Sequence, residues 1–231
     1  MERIIVDNIP VDIDWKDIKN MHLTVYPPEG RVHVSAPLMM TEENIRMFLV
    51  TKLPWLHEKL DAFKKQERQP EREYVSGEDH YFLGHRYRLK VVPTTGASSV
   101  SILNNDFLEM KVRNGATEER KEEVMKEWYR VQLRPIIEEY VAKWEPVLGV
   151  QNSGWKIQEM KTLWGSCNHR TKHLLFNLEL AKKPLHCIEY VVVHELAHIN
   201  QRLHNAEFVS ILDNALPNWR ATKDELNEFV I

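Results

Sequence analysis

The sequence predicts an α+β protein: a β-rich N-terminal region over residues 1–115 containing one helix, then a mixed helical domain over residues 116–231. Three observations carry this. Apolar and polar residues alternate with period two at several places before residue 113, whereas from Thr117 onward the apolar residues recur at helical spacing. The third is a His-Glu-x-x-His pattern late in the chain, within a strongly apolar stretch that reads as a buried helix.

Taken in order, Leu23 and Val25, then Val32 and Val34, alternate with polar residues on either side of Pro27-Pro28-Glu29-Gly30, the pattern of a β-hairpin. Thr41 before Glu42 and Glu43 reads as a helix N-cap, and Ile45, Phe48, Leu49, Leu53, Leu56 and Leu60 continue a helix to about Lys65, with a bend expected near Pro54. Residues 66–73 are polar or Pro and read as a connector. Short β-rich runs cover 81–92 and 100–112, separated by residues 93–99 and, within the second run, by the turn-forming Asn104-Asn105-Asp106. Val124, Trp128, Val131, Ile136, Ile137, Tyr140, Val141, Trp144 and Leu148 trace a long helix ending at Gly149, and a domain boundary is placed near Gly115. Strands are expected over 155–163 and 174–180, and a further helix from about Leu185, after Pro184. No internal repeat is visible.

Composition narrows the function classes. The 231 residues are 43% hydrophobic and 28% charged, with a formal charge of −3, so disordered, collagenous and membrane-spanning classes are excluded and no global field draws the chain to nucleic acid. The first seven residues carry acids and no apolar signal core, and Cys167 and Cys187 are too few for a disulfide scaffold, so a cytoplasmic location with free thiols is expected.

Chemistry concentrates in residues 194–204. Residues four apart on a helix share a face, so His194 and His198 can present two imidazoles to one metal ion, with Glu195 about 100° around the helix beside it. His204 can return as a third ligand only if the helix stops and the chain reverses; Asn200 is the residue suited to a left-handed turn there. Three His ligands on one Zn²⁺ per chain leave a tetrahedral position open for a water whose pKa falls to about 7, with Glu195 as the general base and acid of a hydrolysis. A structural zinc would instead fill its fourth position with protein, and Cys187, about two turns before His194, cannot reach the same ion.

Trp164-Gly165-Ser166-Cys167, Phe176-Asn177-Leu178-Glu179-Leu180, residues 190–198 and His204-Asn205-Ala206-Glu207-Phe208 together resemble the YgjP-like family of zincin-type metal-dependent hydrolases. The resemblance extends to residues 27–37, Trp55 and residues 84–89, and so covers most of the chain. It implies His194, His198 and His204 as metal ligands, Glu195 as catalytic acid/base, and a zincin-like core in which substrate binds along a strand beside the active-site helix, with 174–180 as that strand. The His spacing is also similar to SprT and WLM-type proteases, which act on protein–DNA crosslinks. The chain departs from the family pattern at Leu163, where Arg is frequent, and at Val209, where Trp is frequent.

A peptide is the expected substrate; a nucleotide phosphoanhydride, a DNA-associated protease activity and a non-catalytic zinc-binding interaction module are the alternatives. Gly165 is read as letting backbone approach substrate, Trp164 and Cys167 as packing residues, and Ser166 as either. His169 or His173 could donate to an oxyanion, Tyr190 could support His194 or fill core, and Asp213 or Glu207 could orient a ligand His. Trp15, Tyr26, Tyr74, Tyr81, Phe82 and Tyr87 could stack single-stranded nucleic acid if they shared a face. From residue 185 on, seven acids against three bases give a net charge of −4, which disfavours a phosphate backbone there.

Overall fold

Strand pairing begins at Glu2, ahead of the first expected strand at Leu23. The computed structural model describes residues 2–26, 30–65 and 72–228. Glu2–Val6 (β1) turns through Asp7 and Asn8, with φ of 50° and 61°, into Ile9–Lys16 (β2). Two successive left-handed positions make the tight hairpin turn that matches strand twist, and Asn and Asp tolerate them. His22–Tyr26 (β3) and Arg31–Pro37 (β4) form the expected hairpin; its turn residues 27–29 lie outside the described residues, as do 66–71 of the connector. The sheet order is β1-β2-β4-β3, with β2 and β4 parallel. One face of it, including Val11, Ile13, Val32 and Val34, is buried with Ile45, Leu49 and Leu56 of Glu42–Lys65 (α1). The Thr41 hydroxyl caps α1 by accepting from Asn44 N–H at 3.3 Å, and Pro54 lies within the helix.

The next elements repeat this topology. Asp79–Phe82 (β5), His85–Pro93 (β6), Ser99–Leu103 (β7) and Phe107–Val112 (β8) form a sheet of order β5-β6-β8-β7, again with one parallel pair, β6 and β8. It too begins with a tight turn, Leu83-Gly84 at φ 48° and 83°, and is followed by a long helix, Glu118–Leu148 (α2). Thr-Glu-Glu opens both helices, at 41–43 and 117–119. The repeat escapes sequence reading because Val32, Val34 and Ala36 in one sheet and Leu108, Met110 and Val112 in the other meet the same requirement with different residues.

The chain divides into two compact units, Met1–Pro70 and Glu71–Phe229. The division expected near Gly115 runs through the second unit, where Phe82, Leu89, Leu108 and Met110 share one core with Trp128, Tyr129 and Leu133 of α2. The change of period at Thr117 marks the helix start, where the Thr117 hydroxyl accepts from Arg120 N–H, and Gly149 at φ 63° ends it. Tyr74, Phe82 and Tyr87 are buried in this core and offer no stacking face, whereas Trp15 and Tyr26 belong to the other unit.

A three-stranded sheet follows, of Trp155–Gln158 (β9), Gly165–Asn168 (β10) and His173–Asn177 (β11), in the order β10-β11-β9. The strand expected over 174–180 is thus the central strand and ends at Asn177; a 3-10 turn, Leu178–Lys182, takes over. The edges of the sheet are β9 and β10, and β10 is the edge that packs against the helix Leu185–Ala197. The strand expected over 155–163 stops at Gln158, because the buried Asn177 amide donates to Met160 O and Leu163 O, both at 2.8 Å, and holds 160–163 as a loop. Leu185–Ala197 (α3), Ala206–Ala215 (α4) and Trp219–Glu228 (α5) complete the α+β fold. Among the described residues no helix is long and apolar enough to cross a membrane.

Candidate metal centre

Helix α3 is buried on most sides by Ile188, Val191, Val192, Val193 and Leu196, which leaves His194 facing a cleft. The helix ends at Ala197, and His198 is its C-cap. The chain reverses through turns in which Asn200 and Gln201 N–H donate to Ala197 O; Asn200 is not among the positive-φ residues, so the left-handed turn expected of it does not occur. His204 then returns to the helix end, and Asn205 caps α4 by accepting from Phe208 N–H at 2.9 Å.

The three imidazoles converge. Their Nε2 atoms lie 3.2 Å (His194–His198), 3.0 Å (His198–His204) and 3.1 Å (His194–His204) apart. A tetrahedral zinc with Zn–N bonds of about 2.05 Å has ligand nitrogens about 3.3 Å apart, so the donor set fits that ion. The Phe208 ring backs all three, with centroids 5.0, 4.6 and 4.7 Å from those of His194, His198 and His204. His198 Nδ1–H donates to Gln201 O at 2.8 Å, which leaves Nε2 with its lone pair free. His194 Nδ1 lies 3.4 Å from the Tyr190 hydroxyl, so Tyr190 both fills core and supports that ring. Burial, reinforced by the neighbouring imidazoles, pushes His194 down to about 3, and burial holds His198 below its ordinary value; both are neutral, the form that ligates metal.

Glu195 is 5% exposed, and its Oε2 is buried without a hydrogen-bond partner. Burial pushes its carboxyl up to about 8. A buried, partnerless carboxylate oxygen beside three convergent imidazoles is the arrangement that a metal and its water would satisfy. Gly165 is pressed against it: a Cβ there would stand 2.6 Å from Glu195 Cγ and 2.7 Å from Oε1. The approach read from sequence as backbone to substrate is therefore backbone to Glu195. The cleft, of ≈640 Å³, is lined by the three histidines, Glu195, all four residues of β10, Leu163, His169, Arg170 and Arg202. A larger cavity of ≈980 Å³, lined by Ser99, Arg113, Arg120 and Trp128 among others, has no cluster of metal-ligating side chains among the described residues.

The other residues singled out from sequence divide. His169 lines the cleft, and its Nδ1–H donates to His198 O at 3.1 Å; His173 lines a separate pocket with Ser153 and Lys156. Ser166 and Cys167 line the cleft, but burial and then the Glu195 charge push the Cys167 thiol up to about 11, away from nucleophilic use. Trp164 is half-buried under Lys183, whose Nζ lies 5.3 Å from the ring centre. Asp213 orients no ligand: it accepts from Trp219 Nε1 and pairs with Arg220, which hold it below the usual carboxylate range. Glu207 is exposed and bonds to no histidine. Instead, the Gln201 carbonyl takes the role expected of them, a partner invisible to sequence because every residue carries one. Cys187 clusters apart from the site with His186 and Glu225; His186 and Glu225 pair at 2.7 Å, and burial pushes the Cys187 thiol up to about 12.

Comparison with known proteins bears on this geometry. A search of curated proteins gives no match. Among solved structures, the metallopeptidase zymogen abylysin of Pyrococcus abyssi is 17% identical, with a TM-score of 0.37 over 39% of this chain and 90% of its own. The metallopeptidase zymogen jannalysin of Methanocaldococcus jannaschii is 21% identical, with a TM-score of 0.36 over 40% of this chain and 94% of its own. The YgjP-like metallopeptidase domain matches residues 19–229, a span that contains the whole histidine cluster and its cleft. The chain thus belongs to the YgjP-like metallopeptidase domain family and is a metal-dependent hydrolase.

Proposed function

We propose that the protein is a zinc-dependent peptidase that holds one zinc on His194, His198 and His204 and uses Glu195 as general base and acid. The observation that carries the peptide reading is β10: all four of its residues line the cleft, and β10 is a sheet edge paired only with β11 among the described residues. An extended peptide can add to such an edge through main-chain hydrogen bonds, which places a scissile carbonyl beside the histidines whatever its side chains.

A zinc held there would supply Lewis acidity to polarise that carbonyl and to acidify the attacking water. Glu195 takes the proton from the water and delivers it to the leaving amine. It must be ionised to do so, and the positive charge of a loaded histidine cluster opposes the burial that pushes its carboxyl up. Gly165 holds the Glu195 side chain in place by leaving it no slack on the β10 side. Cys167 stays protonated and takes no part as a nucleophile.

The test pairs metal content with turnover. Elemental mass spectrometry of untagged protein should find about one zinc per chain, lost in His204→Ala. Glu195→Gln should keep the zinc and lose about 10²-fold or more in peptide cleavage. Full activity in Glu195→Gln would overturn the mechanism. A zinc-loaded protein that cleaves no peptide would point instead to a binding module.

A further inference from the structure

The cleft carries two arginines that the hydrolytic chemistry does not use. We infer that Arg170 and Arg202 make it select peptides with an acidic side chain near the scissile bond, an inference that rests on the peptidase reading and names its substrate class.

Both arginines are mounted on backbone tied to His198. Arg170 sits in the β10–β11 turn, where the Asn168 side chain accepts from Arg170 N–H and Thr171 N–H, both at 3.1 Å. The preceding residue, His169, fastens this turn to His198 O. Arg202 follows Gln201, whose carbonyl accepts from the His198 ring. Several other arginines are engaged with carboxylates, as Arg3 with Asp12, Arg86 with Asp79 and Arg220 with Asp213, and Arg134 lies over the Trp155 ring, while Arg113, away from this cleft, likewise has no ion pair among the described residues. The guanidiniums of Arg170 and Arg202 have no ion pair, hydrogen bond or aromatic contact among the described residues, and both are exposed.

Among the described residues, the only acid lining the cleft is Glu195, and it is buried. Of the seven acids in residues 185–231, the other six do not line the cleft: Glu189 binds Lys143, Asp213 binds Arg220, Glu225 binds His186, and Glu207, Asp224 and Glu228 are absent from its lining. The rim is thus locally cationic. Guanidinium forks match carboxylates bidentately, and a loaded metal adds charge of the same sign. A nucleic acid would meet the same charges, but among the described residues no Phe, Tyr or Trp lines the cleft to stack its bases. The peptide is favoured.

The experiment uses zinc-loaded protein and three quenched peptides that differ only in Asp/Glu, Asn/Gln or Lys flanking the scissile bond. The acidic peptide should exceed the neutral one in kcat/KM by about 2- to 25-fold, as two exposed charge contacts of up to about fivefold each allow. That ratio should shrink in 0.5 M NaCl and approach one in the Arg170→Gln/Arg202→Gln double variant, and Arg202→Glu should favour the Lys peptide. Fluorescence anisotropy with zinc-loaded Glu195→Gln should give the same order of affinity without turnover. A wild-type ratio near one, or a ratio unchanged in the double variant, overturns the inference and leaves the peptidase reading standing. Selective binding of the acidic peptide with no cleavage of any peptide refutes the peptidase reading alone. A single-stranded oligonucleotide that displaces the acidic peptide at lower concentration, through the same two arginines, overturns the choice of a peptide.

Discussion

Gly165→Ala is a small change with a large expected effect on Glu195. The added Cβ would stand 2.6 Å from Glu195 Cγ, 2.7 Å from Oε1 and 2.9 Å from Cδ, whereas carbon–carbon contacts settle at about 3.5–4.0 Å. The carboxyl must retreat by about 1 Å, with little room because the Glu195 side chain is itself buried, 5% exposed. Gly165 is not among the positive-φ glycines, so the backbone itself accepts alanine and the whole cost is this contact. Misplacing a catalytic group by about 1 Å can cost about 10²-fold, and overpacking costs about 1–3 kcal/mol of stability. His194, His198 and His204 are untouched, so zinc content should stay near one per chain while kcat on a peptide falls about 10²-fold with KM changed little. Stopped-flow or fluorogenic cleavage together with elemental mass spectrometry reads both. Unchanged kcat with unchanged zinc would refute the argument that β10 positions Glu195 for the reaction.

Three further outcomes follow from buried groups. Asn177→Ala removes a fully buried side chain that also accepts from Met160 N–H and Glu179 N–H, and should lower unfolding free energy by about 2–4 kcal/mol in denaturant titrations; a loss below about 0.5 kcal/mol would contradict its role in holding the 160–163 loop. Cys167, with its thiol pushed to about 11, should react with iodoacetamide at pH 8 about 100-fold more slowly than an ordinary thiol and speed up roughly tenfold per pH unit toward pH 11. Peptide mapping that finds the reaction saturating by pH 9 would exclude the shift. His80 is pushed down to about 4 by burial, with Arg72 adding to it. The unfolded chain takes up that proton near pH 6.5, so stability should fall by up to about 3 kcal/mol as pH drops from 6.5 to 4. A His80→Asn variant should lack this part of the acid slope, and identical slopes would count against it.

Local patterns were legible from sequence to within a residue or two. Thr41, Thr117, Pro184 and Gly149 mark helix ends because capping and φ restriction act over one turn. The convergence of His194, His198 and His204 was readable because two share a helical face and the third lies within reach of a chain reversal. The β1–β2 hairpin lies outside the expectations although Asp7-Asn8 is a turn signal and Ile9, Val11 and Ile13 recur with period two, because Pro10 within the run argues against a strand. The change of period at Thr117 marks the start of α2, while the two compact units divide at 70/71, within a polar stretch.

The sequence by itself determined that an apolar helix presents two histidines and a glutamate at one end, since periodicity and caps are short-range physics. Tertiary structure alone decided that β10 rather than β11 lies at the sheet edge, that Gly165 abuts Glu195, that Phe208 backs the imidazoles, and that a main-chain carbonyl rather than Asp213 orients His198. It also decided that two sheets of unlike sequence share one topology, and that Arg170 and Arg202, 32 positions apart in the chain, line one cleft. Those outcomes depend on which distant surfaces meet as apolar faces are buried, and that burial is non-directional: it rewards any close fit and leaves no spacing in the chain to read.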